Sequence, residues 1–155
     1  MPIMVGLFNL IINDDPFKVL DSSLHFNVSP GRIHPSVCAV SWMGLMNEFE
    51  AGEKATILIL PKDAFGNNIS STNEDTSAFN FAVSASYENG SVASVPNITY
   101  LGWNAVGFIV MEFVVMIAGN LLLHVEGENQ TLNGSPLPFE DLLMFQIAWQ
   151  TGNTR

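Results

Sequence analysis

Ser135 is the serine whose setting most suggests catalysis, because it follows a glycine in the NGSP segment at 133–136. Serine hydrolases carry their nucleophile in G-x-S-x-G, where the second glycine allows a sharp turn. Here proline follows the serine and that second glycine is missing. The chain has three histidines, which are far apart in sequence: His25, His34 and His124. Nothing in the sequence therefore assembles a Ser-His-Asp triad, and we predict no catalytic residue.

Metal binding has one weak set of candidates, the carboxylates Asp63, Glu74 and Asp75 in polar loops. The D-x-D-x-D-G pattern of a calcium loop is absent, which favours a solvated acidic loop. Phosphate-binding and dinucleotide-binding glycine motifs are also absent. We therefore predict no metal ion and no cofactor.

Cys38 is the single cysteine, so the chain forms neither an intrachain disulfide nor a cysteine-based zinc site. It lies in SVCAVSW among apolar neighbours, which favours a small buried side chain. Pairing with a cysteine of another domain remains an alternative.

Length and charge bound the class of protein. The chain has 155 residues, the length of about one domain, with 48% hydrophobic and 13% charged residues. Its formal net charge is −10, and its five basic residues are scattered. Without a basic stripe to neutralise phosphates, nucleic-acid binding is a poor hypothesis.

Asparagine-linked glycosylation is the strongest local signal. Six Asn-x-Ser/Thr triplets occur, whereas the asparagine, serine and threonine content predicts roughly two by chance. The stronger predicted acceptors are Asn68, Asn89, Asn97 and Asn129. Asn27 and Asn133 are weaker, because a proline follows the serine of each triplet. Exposure to the secretory pathway is the favoured interpretation, and loop composition alone is the alternative.

Strands account for most of the apolar pattern. Residues 55–60 and 80–87 alternate with period two, and a polar segment typical of turns separates them. Asn89-Gly90 predicts a hairpin with a type I′ turn, and Pro96 predicts an edge strand or an irregular strand after it. About seven short antiparallel strands predict an all-β, immunoglobulin-like sandwich.

Residues 106–123 have the hydropathy of a membrane span, with Glu112 as their single charge. Enrichment in valine, isoleucine and phenylalanine, a Gly119-Asn120 interruption and the lack of flanking basic residues argue against a span. We predict two buried strands joined by a turn.

Five motifs in order resemble a filamin-type immunoglobulin repeat. They are EAGEKATILI, PKDAFGNNI, Gly107-Phe108 opening a strand, Ala118-Gly119 before LLLHVEG, and Gly134-Ser135-Pro136 with Phe139. The resemblance implies that ten positions form the signature of the repeat: Gly52, Asp63, Gly66, Asn67, Gly107, Gly119, Gly134, Ser135, Pro136 and Phe139.

More narrowly, residues 36–71 and 124–140 resemble the filamin-repeat ectodomain of plant gamete-expressed surface proteins. That family is associated with sperm-cell membranes and with attachment of sperm to the egg and central cell. The resemblance implies a longer parent with several repeats, a membrane anchor outside this chain, and a place on the extracellular side of the plasma membrane. The implied partners are another cell-surface protein or neighbouring repeats.

Three regions follow from this resemblance. Residues 1–31 are predicted to be a remnant of a preceding repeat plus a linker, since LHFNVSPG resembles the last strand of such a repeat. Residues 32–146 form the filamin-type domain, and 147–155 form a polar tail. The apolar N-terminus has neither a basic region nor a small-residue cleavage site, so it is a poor signal peptide.

The leading functional hypothesis is a non-catalytic extracellular adhesion or recognition module in gamete attachment. The alternative is a cytosolic filamin-like scaffold that binds a cytoskeletal or signalling peptide by strand addition. A hydrolase using Ser135 is a third class with little support.

Overall fold

The computed structural model of the chain describes residues 4–14, 17–44, 47–70, 80–116 and 119–141. A single-turn 3₁₀ helix covers Pro35–Val37. The strands in chain order are β1 (Gly6–Asp14), β2 (Phe17–Val28), β3 (Ala39–Trp42), β4 (Glu48–Phe49), β5 (Lys54–Leu60), β6 (Phe81–Tyr87), β7 (Val92–Ala93), β8 (Thr99–Trp103), β9 (Ile109–Val114), β10 (Asn120–Gly127), β11 (Gln130–Thr131) and β12 (Leu137–Asp141).

These strands form three sheets. A four-stranded sheet has the order β3-β5-β9-β8, and a six-stranded sheet has the order β4-β12-β10-β6-β7 with β11 paired to β10. The buried side chains of these two sheets form one core, so they make a sandwich, and the predicted fold class is confirmed. Short β4 pairs with β12 in parallel, whereas the longer strands pair antiparallel.

The remaining sheet is the antiparallel pair β1-β2, and β2 ends at Val28, just before the Ser-Pro-Gly break. Whether this pair is the remnant of an earlier repeat stays a prediction. The predicted tail at 147–155 lies outside the described residues.

Period-two alternation decides which side chains enter the core. In β5, Ala55, Ile57 and Ile59 are fully buried while the residues between them face outward. Strands β9 and β10 bury alternate residues in the same way. A one-residue slip would move each apolar set to the solvent face, so this pattern fixes the register of the pairing.

The apolar segment at 106–123 contributes strands to both sheets. β9 pairs with β5 in the four-stranded sheet, and β10 pairs with β6 and β12 in the six-stranded sheet. Across the described part of the chain, no helix is long and apolar enough to span a membrane. The interpretation as two buried strands is therefore confirmed.

The turn after β6 differs from the prediction. The hairpin β6-β7 forms, but its turn is not type I′, because Gly90 has φ +83° and Asn89 does not have positive φ. The Gly90 N–H donates to the carbonyl of Tyr87 at 2.8 Å, and the loop has three residues. This is a type I turn closed by a left-handed glycine.

Positive φ at two successive turn residues, the mark of a type I′ turn, occurs instead between β10 and β11. Glu128 has φ +49° and Asn129 has φ +61°, and the flanking residues Gly127 and Gln130 pair directly. The segment between β10 and β12 thus contains a short hairpin.

The prediction of an edge strand after Pro96 is confirmed. β8, which follows Pro96, is an edge strand, and Phe139 on β12 is 3% exposed. Phe139 packs with Phe49 and Phe113 around Trp42. The centroid of the Trp42 ring lies 5.1 to 6.2 Å from the centroids of these three rings. The Trp42 indole N–H also donates to the Pro138 carbonyl, which ties β3 to β12.

Candidate recognition surface

The Asp63 turn joins β5 to the segment that precedes β6. Asp63 is 2% exposed, and its carboxylate accepts the backbone N–H groups of Gly31, Phe65 and Asn67 at 2.9 to 3.0 Å. The Asn67 side-chain amide lies within 3.2 Å of both carboxylate oxygens. Gly66 takes φ +85° and donates its N–H to the Asp63 carbonyl, which closes the turn.

Asp63 is therefore not part of a solvated acidic loop, and that expectation was wrong. Burial by itself would raise the pKa of the Asp63 carboxyl. The donors from Gly31, Asn67 and Phe65 outweigh burial and hold this pKa below its ordinary value. Since N–H donors occupy both oxygens, the carboxylate serves the fold and does not offer a free ligand to a metal ion.

Glu74 and Asp75, the other metal candidates, lie outside the described residues. Among the residues that are described, no group of three or more histidine, cysteine or carboxylate side chains is placed to hold a metal ion.

The Gly134-Ser135-Pro136 turn lies against strand β3 and leads into β12. Gly134 has φ +92°, and a β-carbon built on it would lie 2.5 Å from the carbonyl oxygen of Val40. Asn133 donates its N–H to the Cys38 carbonyl, and its own carbonyl accepts from Val40 N–H. The turn therefore needs glycine at 134 both for its backbone conformation and for this close approach.

Ser135 has a structural partner, because its hydroxyl oxygen accepts the Val125 N–H at 2.9 Å. The histidines lie on separate elements and bond other groups. His34 contacts the Ser36 hydroxyl at 3.0 Å, and His124 contacts the Ser86 hydroxyl at 2.9 Å. His25 lies on β2, in the separate two-stranded sheet. The structure thus places Ser135 and the three histidines on different elements.

Cys38 is fully buried between β3 and the Asp63 turn. Its sulfur lies 3.3 Å from the Lys62 N–H and 3.4 Å from the His34 carbonyl oxygen. Burial raises the pKa of the Cys38 thiol, although backbone hydrogen bonds with Lys62 and His34 and the nearby Lys62 charge oppose this shift. A buried thiol with a raised pKa is a poor nucleophile.

We expect the folded chain to resist thiol modification for this reason. Iodoacetamide should leave Cys38 unmodified in buffer and alkylate it fully in denaturing guanidinium, because only the unfolded chain exposes the thiolate. Intact-mass measurement after timed quenching gives the extent of Cys38 alkylation in buffer and in guanidinium. Rapid alkylation of folded protein would contradict the burial, and Ser36→Cys, an exposed position two residues away, provides a reactive control.

All six glycosylation candidates have exposed side chains: Asn27, Asn68, Asn89, Asn97, Asn129 and Asn133. In the sandwich, Asn89 and Asn129 lie in hairpin turns and Asn97 lies two residues before β8, whereas Asn68 and Asn133 form isolated bridges outside the strands. Asn89 accepts the Ser91 N–H and hydroxyl at 2.9 and 2.7 Å. Attachment of sugar at any of them stays a prediction.

The outward side chains of β6, β10 and β12 form a surface whose strands contain none of the six predicted sugar acceptors. We call it the β6-β10-β12 face. It consists of the outward side chains of three neighbouring strands: Ala82, Ser84, Ser86, Leu122, His124, Glu126, Pro138 and Glu140. The outward side chains along β6 are short, so the backbone of a partner can approach closely.

Charge on this face has one sign. The sequence from 63 to 154 contains neither lysine nor arginine, so no strand of the six-stranded sheet contributes a basic side chain. Glu126 and Glu140 lie on the face, and Glu88 and Glu128 lie in adjoining turns. His124 occupies the middle of β10, opposite Ser84. A face of this kind complements a positively charged surface.

Sequence comparison decides the family. The profile of the GEX2 N-terminal Ig-like domain matches residues 36–140, which contain β3 to β12 up to Glu140 and all ten signature positions. The chain belongs to this family. The resemblance to gamete-expressed surface proteins is thereby confirmed.

A curated relative of the GEX2 family is Protein GAMETE EXPRESSED 2 of Arabidopsis thaliana. It is 56% identical over 137 residues, which cover 88% of this chain. The match covers 15% of the relative, so the chain spans a small part of that protein's length.

A solved structure shares the immunoglobulin-like sandwich with this member of the GEX2 family. The Escherichia coli adhesin FdeC superposes with a TM-score of 0.50 at 19% identity, over 87% of this chain and 40% of that one. The Lin-41 filamin domain superposes with a TM-score of 0.48 at 14% identity, over 70% of this chain and 95% of that one. At these identities the FdeC comparison shows the shared sandwich and nothing more.

Proposed function

We propose that the chain is a non-catalytic adhesion and recognition domain of a longer protein, displayed on the extracellular side of a gamete plasma membrane. Membership of the GEX2 N-terminal Ig-like family and the relative named GAMETE EXPRESSED 2 support a role in gametes. The six exposed glycosylation triplets support passage through the secretory pathway.

The observation that carries the proposal is the β6-β10-β12 face. Ala82, Ser84, Pro138 and Glu140 are exposed on it, so its outward side is accessible in the described structure. The partner is another cell-surface protein that presents a basic patch to Glu126 and Glu140. Complementary charge accelerates encounter and selects partners, and it weakens as salt is added.

Adhesion is tested with the whole chain, secreted from plant cells and attached to fluorescent beads by a terminal tag. We expect these beads to bind isolated egg and central cells at least ~tenfold more often than leaf protoplasts. Beads carrying heat-unfolded chain are the control for non-specific binding. Equal binding to gametes and leaf protoplasts, or no binding by folded protein, would refute the proposed function.

The face itself is tested with the double variant Ser84→Arg, Glu126→Lys. The variant places positive charges opposite the basic patch of the partner, so bead binding should fall at least ~tenfold. The matched control is Thr56→Arg, Glu50→Lys, which adds the same charge on the opposite sheet and between β4 and β5. Circular-dichroism melts establish that both variants fold. Equal loss in the two variants would mean that net charge, and not this face, governs attachment.

A further inference from the structure

Strand β8 leaves an unusually exposed edge. It pairs with β9 on one side and is the last strand of its sheet among the described residues. Its five residues, TYLGW, include no charge. Leu101 is 54% exposed, and Ile98, just before the strand, is 40% exposed. An uncharged, apolar edge is a template for pairing with a second copy of the chain.

Within the sandwich, the other sheet edges of the described structure are protected. β3 is tied on its open side to Asn133, through the Val40 N–H and the Cys38 carbonyl. β4 and β7 have two residues each, which is too short to template a ladder. β8 has a register shift between Tyr100 and Gly102, yet it carries none of the lysines or prolines that usually guard an edge.

Asn97 stands two residues before this edge. Its side chain is exposed, and its backbone takes φ +56°, a left-handed conformation that asparagine tolerates. Thr99, the third residue of the triplet, donates its hydroxyl to the Asn97 carbonyl at 3.3 Å. Because Asn97 lies outside the strands, a sugar can be attached there without breaking a ladder hydrogen bond.

The distance from Asn97 to the exposed part of the edge is short. Leu101 is four residues further on, which is about 13 Å along an extended chain. An N-linked glycan is bulky and strongly hydrated. A glycan on Asn97 therefore has the reach to cover Ile98 and the exposed edge up to Leu101. Asn89 and Asn129 sit at hairpin tips of the other sheet, and the strands that follow them, β7 and β11, have only two residues each.

We propose that Asn97 is glycosylated and that its glycan covers the β8 edge, which keeps the domain from pairing edge to edge with a second copy. This inference rests on the extracellular placement proposed above. It adds a specific task for one glycan, which is to prevent self-association.

The test compares Thr99→Ala with Thr99→Ser in whole chain secreted from plant cells. Both substitutions remove the γ-methyl group of threonine, but serine keeps the hydroxyl and preserves the acceptor triplet, whereas alanine destroys it. Glycopeptide mass spectrometry should show Asn97 occupied in the wild type and in Thr99→Ser. Light scattering over a dilution series measures dimerisation. The association constant of the Thr99→Ala dimer should be at least ~tenfold higher than that of Thr99→Ser.

A second substitution connects the dimer to the edge. Leu101→Lys, introduced into Thr99→Ala, places a charge on β8 and should restore the monomer. If Thr99→Ala folds poorly, enzymatic removal of glycans from folded wild-type protein replaces it and should produce the same dimer. An unoccupied Asn97, a monomeric deglycosylated chain, or a dimer that Leu101→Lys leaves intact would each overturn the inference.

The same data separate this inference from the proposed function. Glycans at other acceptors with Asn97 unoccupied would refute the role of Asn97 while secretory exposure stands. Absence of sugar at all six sites would refute both.

Discussion

Replacing Gly134 by alanine is expected to lower the free energy of unfolding by about 3–5 kcal/mol. Two costs add at this position. The backbone has φ +92°, where a side chain is strained, and the new β-carbon would lie 2.5 Å from the Val40 carbonyl oxygen. That oxygen belongs to the backbone of β3, so relief requires the strand or the turn to move.

Such a movement would disturb contacts between the sheets. Asn133 bonds β3 through the Cys38 carbonyl and the Val40 N–H, and Ser135 accepts the Val125 N–H of β10. The loss is a large share of the 5–15 kcal/mol that is typical of a small domain. Urea unfolding followed by tryptophan fluorescence measures it, and the midpoint should fall by more than ~1 M.

Gly90→Ala is the matched control. Gly90 has φ +83°, and a β-carbon there would meet no atom within 4 Å. This variant bears the backbone strain alone, about 1–2 kcal/mol. The difference between the two variants isolates the clash with Val40. Equal losses in both would show that the close approach contributes nothing.

Asp63→Asn is the second large effect, with an expected loss of about 2–4 kcal/mol near neutral pH. The carboxylate accepts N–H groups from Gly31, Phe65 and Asn67 while 2% exposed. An asparagine side chain keeps the shape of the aspartate, but its NH₂ group would face at least one of these backbone N–H groups, and two donors cannot bond each other. A buried N–H group that loses its acceptor costs more free energy than the loss of a hydrogen bond at the surface.

The same carboxylate makes stability depend on pH. Its pKa in the folded chain lies below the value near 3.9 of an unfolded aspartate, despite burial, because of the hydrogen bonds from Gly31, Asn67 and Phe65. The ionised carboxylate therefore stabilises the fold fully above about pH 4, and this contribution is lost as pH falls through the folded-state pKa.

Urea unfolding from neutral to acid pH tests this coupling. The stability difference between wild type and Asp63→Asn should be largest near neutral pH and shrink below about pH 4, as Asp63 takes up a proton. Glu88→Gln, at an exposed turn position, should change stability by less than ~0.5 kcal/mol. A difference between wild type and Asp63→Asn that stays constant with pH would contradict the role of the charge.

Much of the sandwich follows from local pattern. Period-two alternation in β5 and β6, and the Gly119-Asn120 break between two apolar runs, predict strands because side chains of a strand alternate between faces. The order of glycine-led motifs then indicates the repeat family. The hairpin at Asn89-Gly90 was predicted correctly but its turn type was not, because the pairing of Tyr87 with Ser91 selects a three-residue loop.

The contacts between sheets were not predictable in this way. Asp63 seemed to be one polar residue of an acidic loop, and its burial depends on Gly31, which lies 32 residues away. The Trp42 cluster likewise joins side chains from β3, β4, β9 and β12. Local propensity carries no information on which distant donors and rings converge.

Sequence by itself therefore determined the all-β class, the family and the sugar-acceptor triplets, because alternation, glycine spacing and Asn-x-Ser/Thr are local patterns. Tertiary structure decided which edge of the sandwich stays open, which sheet face is acidic, and why position 134 must be glycine. These properties depend on the pairing of strands that are far apart in the chain. The serine of the NGSP segment thus proves to hold β10 through the Val125 N–H, a role that only the folded chain reveals.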